Sequence, residues 1–225
     1  TKAIQWVDID EDYDLDFFMC DRYGNMYLLE NQGDTAFINV SDGSGLPTDS
    51  VATAGASWGD YDNDGDLDVH ICRYIENPLL TDPIYKNVLM RNNGDFTFTD
   101  VSNEAQINLY VRLSFQSIWY DWDLDGWQDL YVINDKNGEN ALYHNQGNGQ
   151  FHEIASSTGA NVVLDAMTAS MGDFNQDGYQ DIFMTSTVEG NNGIGSLLLV
   201  GSESGQYHEA SEAVSYTHLT LPTRS

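Results

Sequence analysis

Four short aspartate-rich segments, repeated in register along the chain, constrain the fold more than any other feature of the sequence. They begin at Asp8, Asp60, Asp121 and Asp173, so successive segments start 52, 61 and 52 residues apart. Together they hold 17 aspartates in four stretches of nine residues. Self-similarity at a period near fifty residues indicates a repeat architecture, in which each repeat forms one supersecondary unit.

The four nine-residue segments, named loops 1–4, align position by position. Positions 1, 3, 5 and 9 are acidic, except that Asn175 stands at one of them, and position 7 varies. At positions 1, 3, 5, 7 and 9, loop 1 has Asp8, Asp10, Asp12, Asp14 and Asp16, loop 2 has Asp60, Asp62, Asp64, Asp66 and Asp68, loop 3 has Asp121, Asp123, Asp125, Trp127 and Asp129, and loop 4 has Asp173, Asn175, Asp177, Tyr179 and Asp181.

Strand-like runs surround each loop. In the second repeat, residues 52–58, 67–74, 87–91 and 96–101 are predicted strands, and Asn93-Gly94 is a strong signal for a tight turn between the last two. The other repeats end in similar hairpins with Gly-containing turns. Four antiparallel strands in about fifty residues is the blade of a β-propeller. The predicted fold is therefore all-β, a propeller fragment of about four four-stranded blades.

The repeats predict the domain organisation. A partial propeller is expected over residues 1–213, with repeats at approximately 1–51, 52–112, 113–164 and 165–213. The longer second spacing is assigned to an insertion at residues 76–83, a surface loop in which Pro78 and Pro83 break strand pairing. The stretch VSYTHLTLPT from Val214 matches one translated frame of a sequencing adapter, so residues 214–225 are predicted to be a non-native tail. The remainder is interpreted as an internal fragment of a longer protein.

The loops have the composition of a calcium site. Hard cations take several oxygen ligands, and side chains at positions 1, 3 and 5 of a tight loop converge on one point. A backbone carbonyl at position 7 and a carboxylate at position 9 would complete the cage. Position 6 is Gly65, Gly126 or Gly178 in loops 2–4, which permits a sharp turn. Without Cys or His ligands, zinc and copper are disfavoured, and a dense oxygen cage suits Ca²⁺ better than Mg²⁺. Up to four Ca²⁺ ions are predicted, one per loop.

Two other structures compete with a calcium cage for these loops. An EF-hand requires a carboxylate at position 12, but the residues there are apolar: Met19, Ile71, Val132 and Met184. A metal-free Asx-rich turn would compete for one isolated loop, but not for four loops in register. Loop 1 has Tyr13 at the glycine position, so it is predicted to be the weakest or empty site.

Composition excludes several classes of function. The formal net charge is −28, which rules against binding to nucleic acid or to an anionic membrane surface. No apolar run reaches 18 residues, so membrane insertion is not expected. A hydrophobic content of 41% indicates a packed core. Cys20 and Cys72 occupy equivalent positions in successive repeats and are predicted to be buried thiols, with a disulfide as the less favoured case.

These motifs carry a family resemblance. The pattern W-G-D-x-D-x-D-G-x-x-D, followed by x-L-Y-x-N-x-G-x-G-x-F, resembles the FG-GAP/VCBS repeat superfamily over residues 1 to about 213, nearest to the ASPIC/UnbV and cartilage-acidic-protein-like propellers. The resemblance implies a calcium-stabilised propeller of about seven blades, secreted, periplasmic or on a cell surface, used for adhesion or ligand binding. The integrin-type Gly-Ala-Pro is absent after loop 2, where Asp68 begins DVHICR, so integrin-like binding is not implied.

The predicted function is that of a non-catalytic binding or adhesion scaffold whose partners are a protein or glycan ligand and the other blades of the full-length chain. The sequence has no nucleophile elbow, phosphate-cradling loop or histidine metal motif, so it is not predicted to be an enzyme. A calcium-stabilised polysaccharide lyase or hydrolase is the alternative, disfavoured because the 8 Lys and Arg residues are scattered. A purely architectural spacer is a third possibility.

Aromatic, histidine and arginine residues give weaker predictions. The tryptophan before each of the first three loops is expected to be a wedge in the core: Trp6, Trp58 and Trp119. Trp122 and Trp127 either form an aromatic platform for a sugar or peptide or pack against the next blade. His70 and Arg73 could line the propeller face. The remaining histidines of the outer strands are expected to be solvated or packed: His144, His152 and His208.

Overall fold

The computed structural model describes residues 3–33, 36–74, 82–107, 110–136, 138–186 and 196–210. In these residues, sixteen strands form four separate four-stranded antiparallel sheets, each ordered as in the sequence. We number the sheets as blades 1–4. Blade 1 contains β1 (Ala3–Val7), β2 (Asp16–Cys20), β3 (Met26–Asn31) and β4 (Phe37–Asn39), and blade 2 contains β5 (Thr53–Gly59), β6 (Asp68–Arg73), β7 (Val88–Asn92) and β8 (Phe98–Asp100).

Blades 3 and 4 repeat this plan. Blade 3 contains β9 (Ser114–Tyr120), β10 (Asp129–Asn134), β11 (Ala141–Asn145) and β12 (Phe151–Glu153), and blade 4 contains β13 (Ala166–Gly172), β14 (Asp181–Ser186), β15 (Ser196–Val200) and β16 (His208–Glu209). The helices of the described residues are one four-residue α-helix, α1 (Ala155–Thr158), and a short 3-10 helix (Pro83–Tyr85). The prediction of an all-β fold with four propeller-like blades is confirmed, and the predicted strand bounds in blade 2 are shifted by one or two residues.

Apolar cores lie between neighbouring blades. Phe18 of blade 1 meets Trp58 of blade 2 edge-to-face, with ring centroids 5.4 Å apart. A second cluster joins blade 2 to blade 3, and a third joins blade 3 to blade 4. As a result, every residue of β6 and of β10 is buried, whereas β2 alternates between buried and half-buried positions. Strands covered on both faces lose the polar–apolar alternation of a half-exposed strand.

The tryptophan column behaves as predicted in blades 2 and 3 but not in blade 1. Trp58 Nε1 donates to Gln5 Oε1 at 3.1 Å, and Trp119 Nε1 donates to the Ser57 carbonyl at 3.2 Å, so each ring is attached to the preceding blade. The wedge prediction is wrong for Trp6, which is 57% exposed. Its ring packs on Phe17 and on Phe37 of its own blade, because no blade in the described part of the chain covers that face.

His70 and Arg73 do not line the propeller face. Both are fully buried on β6, the sandwiched second strand of blade 2. His70 Nδ1 lies 2.8 Å from Ser117 Oγ of blade 3. Arg73 Nη2 lies 2.6 Å from Asp49 Oδ2. These contacts make both residues part of the joints between segments, which corrects the prediction of a surface role.

Other predictions have mixed outcomes. Cys20 and Cys72 are buried free thiols, as predicted. Most of the predicted insertion at 76–83 and the whole predicted tail at 214–225 lie outside the described residues. Within the residues that are described, no helix is long and apolar enough to cross a membrane.

Candidate functional site: the aspartate loops

The four acidic loops occupy equivalent places in the four blades. Each joins the first strand of its blade to the second. Because chain direction reverses at every strand, these loops share one end of each blade with the turns between the third and fourth strands. We call this the loop end. The connections between second and third strands, and those between blades, lie at the opposite end.

Carboxylates at positions 1, 3 and 9 come together in three of the loops. In each group, one oxygen from every residue lies within 4.8 Å of the others: Asp8, Asp10 and Asp16 in loop 1, Asp60, Asp62 and Asp68 in loop 2, and Asp121, Asp123 and Asp129 in loop 3. Such groups could hold a metal ion. Loop 4 has Asn175 at position 3 and therefore offers fewer carboxylates.

The side chains at positions 1 and 5 hold the loop in a tight turn by accepting backbone N–H bonds. Asp60 accepts hydrogen bonds from the backbone N–H of Asp64 (3.2 Å) and of Gly65 (3.1 Å). Loops 3 and 4 repeat both bonds at 2.9–3.0 Å. The position-5 carboxylate then accepts from the N–H of position 7 at 2.9–3.0 Å: Asp12 from Asp14, Asp64 from Asp66, Asp125 from Trp127 and Asp177 from Tyr179. The carboxylate at position 5 thus fixes the backbone at position 7, which is the position predicted to supply a carbonyl ligand.

Position 6 distinguishes loop 1. Gly65 has a φ of 102°, in the left-handed region that glycine adopts without strain. Tyr13 has a φ of 71° at the same position and is 97% exposed. A non-glycine residue there costs about 1–2 kcal/mol. Loop 1 nevertheless brings its three carboxylates together as loops 2 and 3 do, and its predicted weakness stays a prediction.

The aspartate at position 9 is buried in every loop and acts as a latch. One carboxylate oxygen accepts the N–H of position 2, and the other accepts the N–H of the residue at the end of the third strand or just after it. In loop 2 these bonds run from Tyr61 at 3.2 Å and from Asn92 at 2.8 Å to Asp68. The same pair of bonds forms at the other three: Asp16, Asp129 and Asp181.

Burial disfavours the ionised form of three of these carboxylates by raising the pKa of Asp16, Asp68 and Asp129. It raises the pKa of Asp68 to about 8 and that of Asp129 to about 7, because desolvation penalises the charged form. Burial is also the main cause of the raised pKa of Asp62, with the neighbouring Asp64 and Asp60 adding to it. A bound cation would oppose both effects, since it favours the ionised carboxylates.

Several carboxylate oxygens in the loops lack any hydrogen-bond donor. Asp8 Oδ1, Asp10 Oδ1 and Asp62 Oδ1 are shielded from solvent and accept no hydrogen bond from the described residues. Buried polar atoms are nearly always paired, because an unpaired one costs free energy. Oxygen atoms with this surplus of lone pairs suit a hard cation such as Ca²⁺.

The asparagine side chains that join the blades were missed by sequence reasoning. Asn92 Nδ2 donates to the Ile9 carbonyl in loop 1 at 3.0 Å, and Asn145 Nδ2 donates to the Tyr61 carbonyl in loop 2 at 2.7 Å. Each therefore ties its own blade to the acidic loop of the preceding one. The signal was present, because an asparagine recurs in register two residues before the hairpin glycine in the first three repeats.

His144 lies closer to loop 3 than expected. Its Nε2 is 3.1 Å from Asp123 Oδ2 and 3.9 Å from Asp125 Oδ2. Its ring also meets Trp122 edge-to-face, with centroids 5.5 Å apart. The equivalent residues of the other blades are Glu30, Arg91 and Val200, so the repeat pattern of the sequence did not predict this contact.

The two loop-3 tryptophans have different surroundings. A methyl group added at Gly205 of blade 4 would approach the Trp122 ring to 2.6 Å, so this ring packs between blades. Trp127 lies against Gly147 of its own blade and lines a cavity of about 350 Å³ at the loop end, together with Asp62 and Arg91. The aromatic-platform hypothesis therefore stays a prediction for Trp127.

Fold and site together define a propeller-like repeat protein with one acidic loop per blade. Comparison with protein-family models gives the family: the FG-GAP-like repeat model matches residues 8–71 and again residues 121–184. These two segments cover more than half of the chain and include loops 1–4. The chain belongs to the FG-GAP-like repeat family. No curated protein sequence gives a match.

Among solved structures, the chain is similar to a lectin of Agrocybe aegerita. That lectin is described as specifically recognising non-reducing terminal N-acetylglucosamine. The two share 16% sequence identity with a TM-score of 0.54, over 92% of this chain and 50% of the lectin. The chain thus spans about half the length of the lectin, and the likeness concerns the fold.

Proposed function

We propose that this chain is a Ca²⁺-binding propeller module that serves as a non-catalytic binding or adhesion scaffold in a secreted, periplasmic or surface protein. One observation carries the metal part of the proposal. In loops 1 and 2, buried carboxylate oxygens converge without any donor to satisfy them. A cation is the simplest partner for such oxygens, and an all-oxygen set favours Ca²⁺.

The role of the metal is structural. Ca²⁺ would offset the repulsion among the loop aspartates and hold the buried latch carboxylates in their ionised form. Loops 1, 2 and 3 offer three converging carboxylates each, whereas Asn175 Oδ1 in loop 4 already accepts the Asp177 N–H. We therefore expect the stronger sites in loops 2 and 3, and weaker ones in loop 4 and in loop 1, where Tyr13 stands at the glycine position. Affinities on the order of 10⁻⁴ to 10⁻³ M are typical of extracellular modules.

A glycan is the favoured ligand of the scaffold, with a protein ligand as the alternative. The similar lectin fold is described as recognising a terminal sugar, which supports a glycan. The net charge of −28 opposes polyanionic partners such as nucleic acid. Further blades of the full-length protein are the other expected partners.

A calcium titration by calorimetry, paired with thermal melts in Ca²⁺ and in EDTA, tests the metal part. We expect three or four ions per chain and a higher melting temperature in Ca²⁺, because a ligand that binds the folded form stabilises it. Asp62→Asn should remove one ion from the count. A folded sample that takes up no Ca²⁺ and melts identically in EDTA would overturn the proposal.

A glycan array tests the ligand part. The full chain in Ca²⁺ should bind neutral glycans, and binding should fall in EDTA to the extent that the fold is lost. Calcium uptake without any glycan binding would leave the metal module in place and overturn the glycan ligand.

A further inference from the structure

A second cavity lies far from the acidic loops and is independent of them. It measures about 150 Å³ and is walled by blade 3 and the segment that connects blade 2 to it. Asn134 ends β10, Tyr143 lies on β11 and Glu153 ends β12, which places the cavity at the opposite end of the blade from loop 3. We infer that this cavity binds one uncharged sugar unit at the end of a glycan. The inference rests on the proposed scaffold function and gives it a site.

The strongest observation is Tyr143. Its side chain is only 6% exposed and lines the cavity, yet its hydroxyl makes no hydrogen bond with the described residues. The hydroxyl oxygen is not shielded from solvent, so a ligand in the cavity can reach it. The Tyr143 hydroxyl can both donate to and accept from a ligand, as a sugar hydroxyl requires.

Neighbouring polar groups are already fixed in place. Glu153 Oε1 accepts the N–H of Ala155 at 2.8 Å and of Leu142 at 3.3 Å, which holds the carboxylate and leaves Oε2 to accept from a ligand. Asn134 Oδ1 accepts from Ser114 Oγ at 2.7 Å, and its Nδ2 donates to the Glu139 carbonyl at 2.7 Å. Groups held in this way lose little side-chain entropy on binding.

Donors and aromatic surface come from the connecting segment. Arg112 lies over the Tyr110 ring, 5.0 Å from its centroid, and both line the cavity. The guanidinium supplies several N–H donors in a fixed plane. Tyr110 is 60% exposed, so part of its ring is left uncovered by Arg112.

The chemistry of this lining selects a neutral, polyhydroxylated ligand. Glu153 and Glu139 oppose an anionic sugar, as does the net charge of −28, while Arg112 opposes a cation. The lining also includes apolar side chains, among them Ile107 and Val132. A sugar ring presents both C–H faces and hydroxyl groups, so it matches such a mixed wall. The volume is below the roughly 300–1,000 Å³ of sites for drug-sized ligands, which suits a single ring.

An NMR titration of the ¹⁵N-labelled full chain in Ca²⁺ tests the inference, with N-acetylglucosamine, glucose and galactose as probes. A ligand of this size is expected to bind with a Kd on the order of 1 mM. At least one sugar should shift amide signals of β11, β12 and the segment at 110–114. Tyr143→Phe should weaken that binding by roughly 3- to 10-fold, since it removes one ligand hydrogen bond. The fold should be intact, because the lost hydroxyl has no partner among the described residues.

Tyr61→Phe is the matched control. Tyr61 is a buried tyrosine, 3% exposed, that lines the other cavity at the loop end. This variant should bind the sugar as the wild type does. Weakening by Tyr61→Phe and not by Tyr143→Phe would move the site to the loop end and overturn the inference. A folded wild type with no shifts for any of the three sugars up to about 50 mM would also overturn it.

The glycan array separates this inference from the proposed function. If Tyr143→Phe and Glu153→Gln both bind array glycans as well as the wild type does, the scaffold function stands and the cavity assignment fails. If the variants lose array binding while their calcium uptake is unchanged, the opposite-end cavity is the ligand site.

Discussion

The latch aspartates link metal chemistry to folding at the scale of single residues. Asp16, Asp68 and Asp129 belong to the converging carboxylate groups, and each also accepts two backbone N–H bonds from different parts of its blade. The acidic loop is thereby attached to the third strand even without a cation. In loop 2, the aspartates at positions 1 and 5 instead accept N–H bonds from within the loop.

Asp68→Ala and Asp66→Ala separate these roles. Removal of Asp68 leaves two buried N–H donors unpaired, which should cost about 2 kcal/mol or more of unfolding free energy, in EDTA as well as in Ca²⁺. Asp66→Ala makes the same change of charge two residues away but keeps the backbone carbonyl, so its cost in EDTA should stay within about 0.5 kcal/mol. Urea denaturation of both variants checks this. Equal losses in the two variants would contradict the latch.

At the scale of elements, asparagine side chains connect each blade to the acidic loop of the blade before it. We call each such connection a joint. Asn145 donates to the loop-2 carbonyl of Tyr61 and to the Gln128 carbonyl of its own blade, and its Oδ1 accepts the Gly147 N–H. Blade 4 has Gly201 in the equivalent place, so it has no side chain with which to make this joint to blade 3.

Asn145→Asp tests the joint. The substitution keeps the acceptor for Gly147 but replaces the donating amide with an oxygen facing two carbonyls, so we expect a loss of about 2 kcal/mol or more. The control is Asn148→Asp, at an exposed turn position where only the side-chain oxygen is used, to accept the Gln150 N–H. Chemical denaturation should leave this control near the wild type. Similar midpoints for the two variants would show that the joint contributes little.

The sequence was sufficient for the elements but not for the contacts between them. Alternation, Gly turns and the repeat period predicted the strands and blades, because these depend on local chemistry. The buried positions of His70 and Arg73 depend on which sheet covers β6, and periodicity along one strand carries no such information. For the same reason, the sequence did not predict the contact of His144 with loop 3 or the exposure of Trp6. Both depend on how the blades pack together.

At the scale of the whole molecule, blade 1 differs from blades 2 and 3. Trp6 and Ile4 of β1 and Phe37 and Ile38 of β4 are each at least 42% exposed, although the equivalent Trp58 is partly buried against blade 1. A blade contributes most to stability when a neighbour covers it, which is the general behaviour of repeat proteins.

Trp58→Ala and Trp6→Ala should therefore differ in cost. Truncation of Trp58 removes its contacts with Phe18 and Phe98 and its bond to Gln5, and should lower the unfolding free energy by about 3 kcal/mol or more. Trp6→Ala affects an exposed ring and should cost less than about 1 kcal/mol. Urea unfolding compares the pair directly. A cost for Trp6 that equals that of Trp58 would mean that another surface covers blade 1 in solution.

The dependence of stability on pH should reveal the loops acting together. Burial raises the pKa of Asp68 to about 8 and of Asp129 to about 7, whereas both ionise near pH 3.9 in an unfolded chain. Between pH 6.5 and 8 the metal-free folded state thus holds protons that the unfolded state has released. Its unfolding free energy should fall as pH rises, by up to about 1.4 kcal/mol per pH unit for each group.

Below pH 6.5 a second group adds an opposite pH dependence to that of the carboxylates. Burial lowers the pKa of His70 to about 3, so the unfolded chain binds a proton there that the folded chain rejects, and stability from this residue is lost as pH falls. Urea titrations at pH 6.5 and 8 therefore isolate the carboxylates. In EDTA the protein should be clearly less stable at pH 8. In saturating Ca²⁺ that loss should shrink or vanish, because the ion binds the ionised carboxylates. The same loss in both buffers would mean that the loop carboxylates and the metal are not coupled.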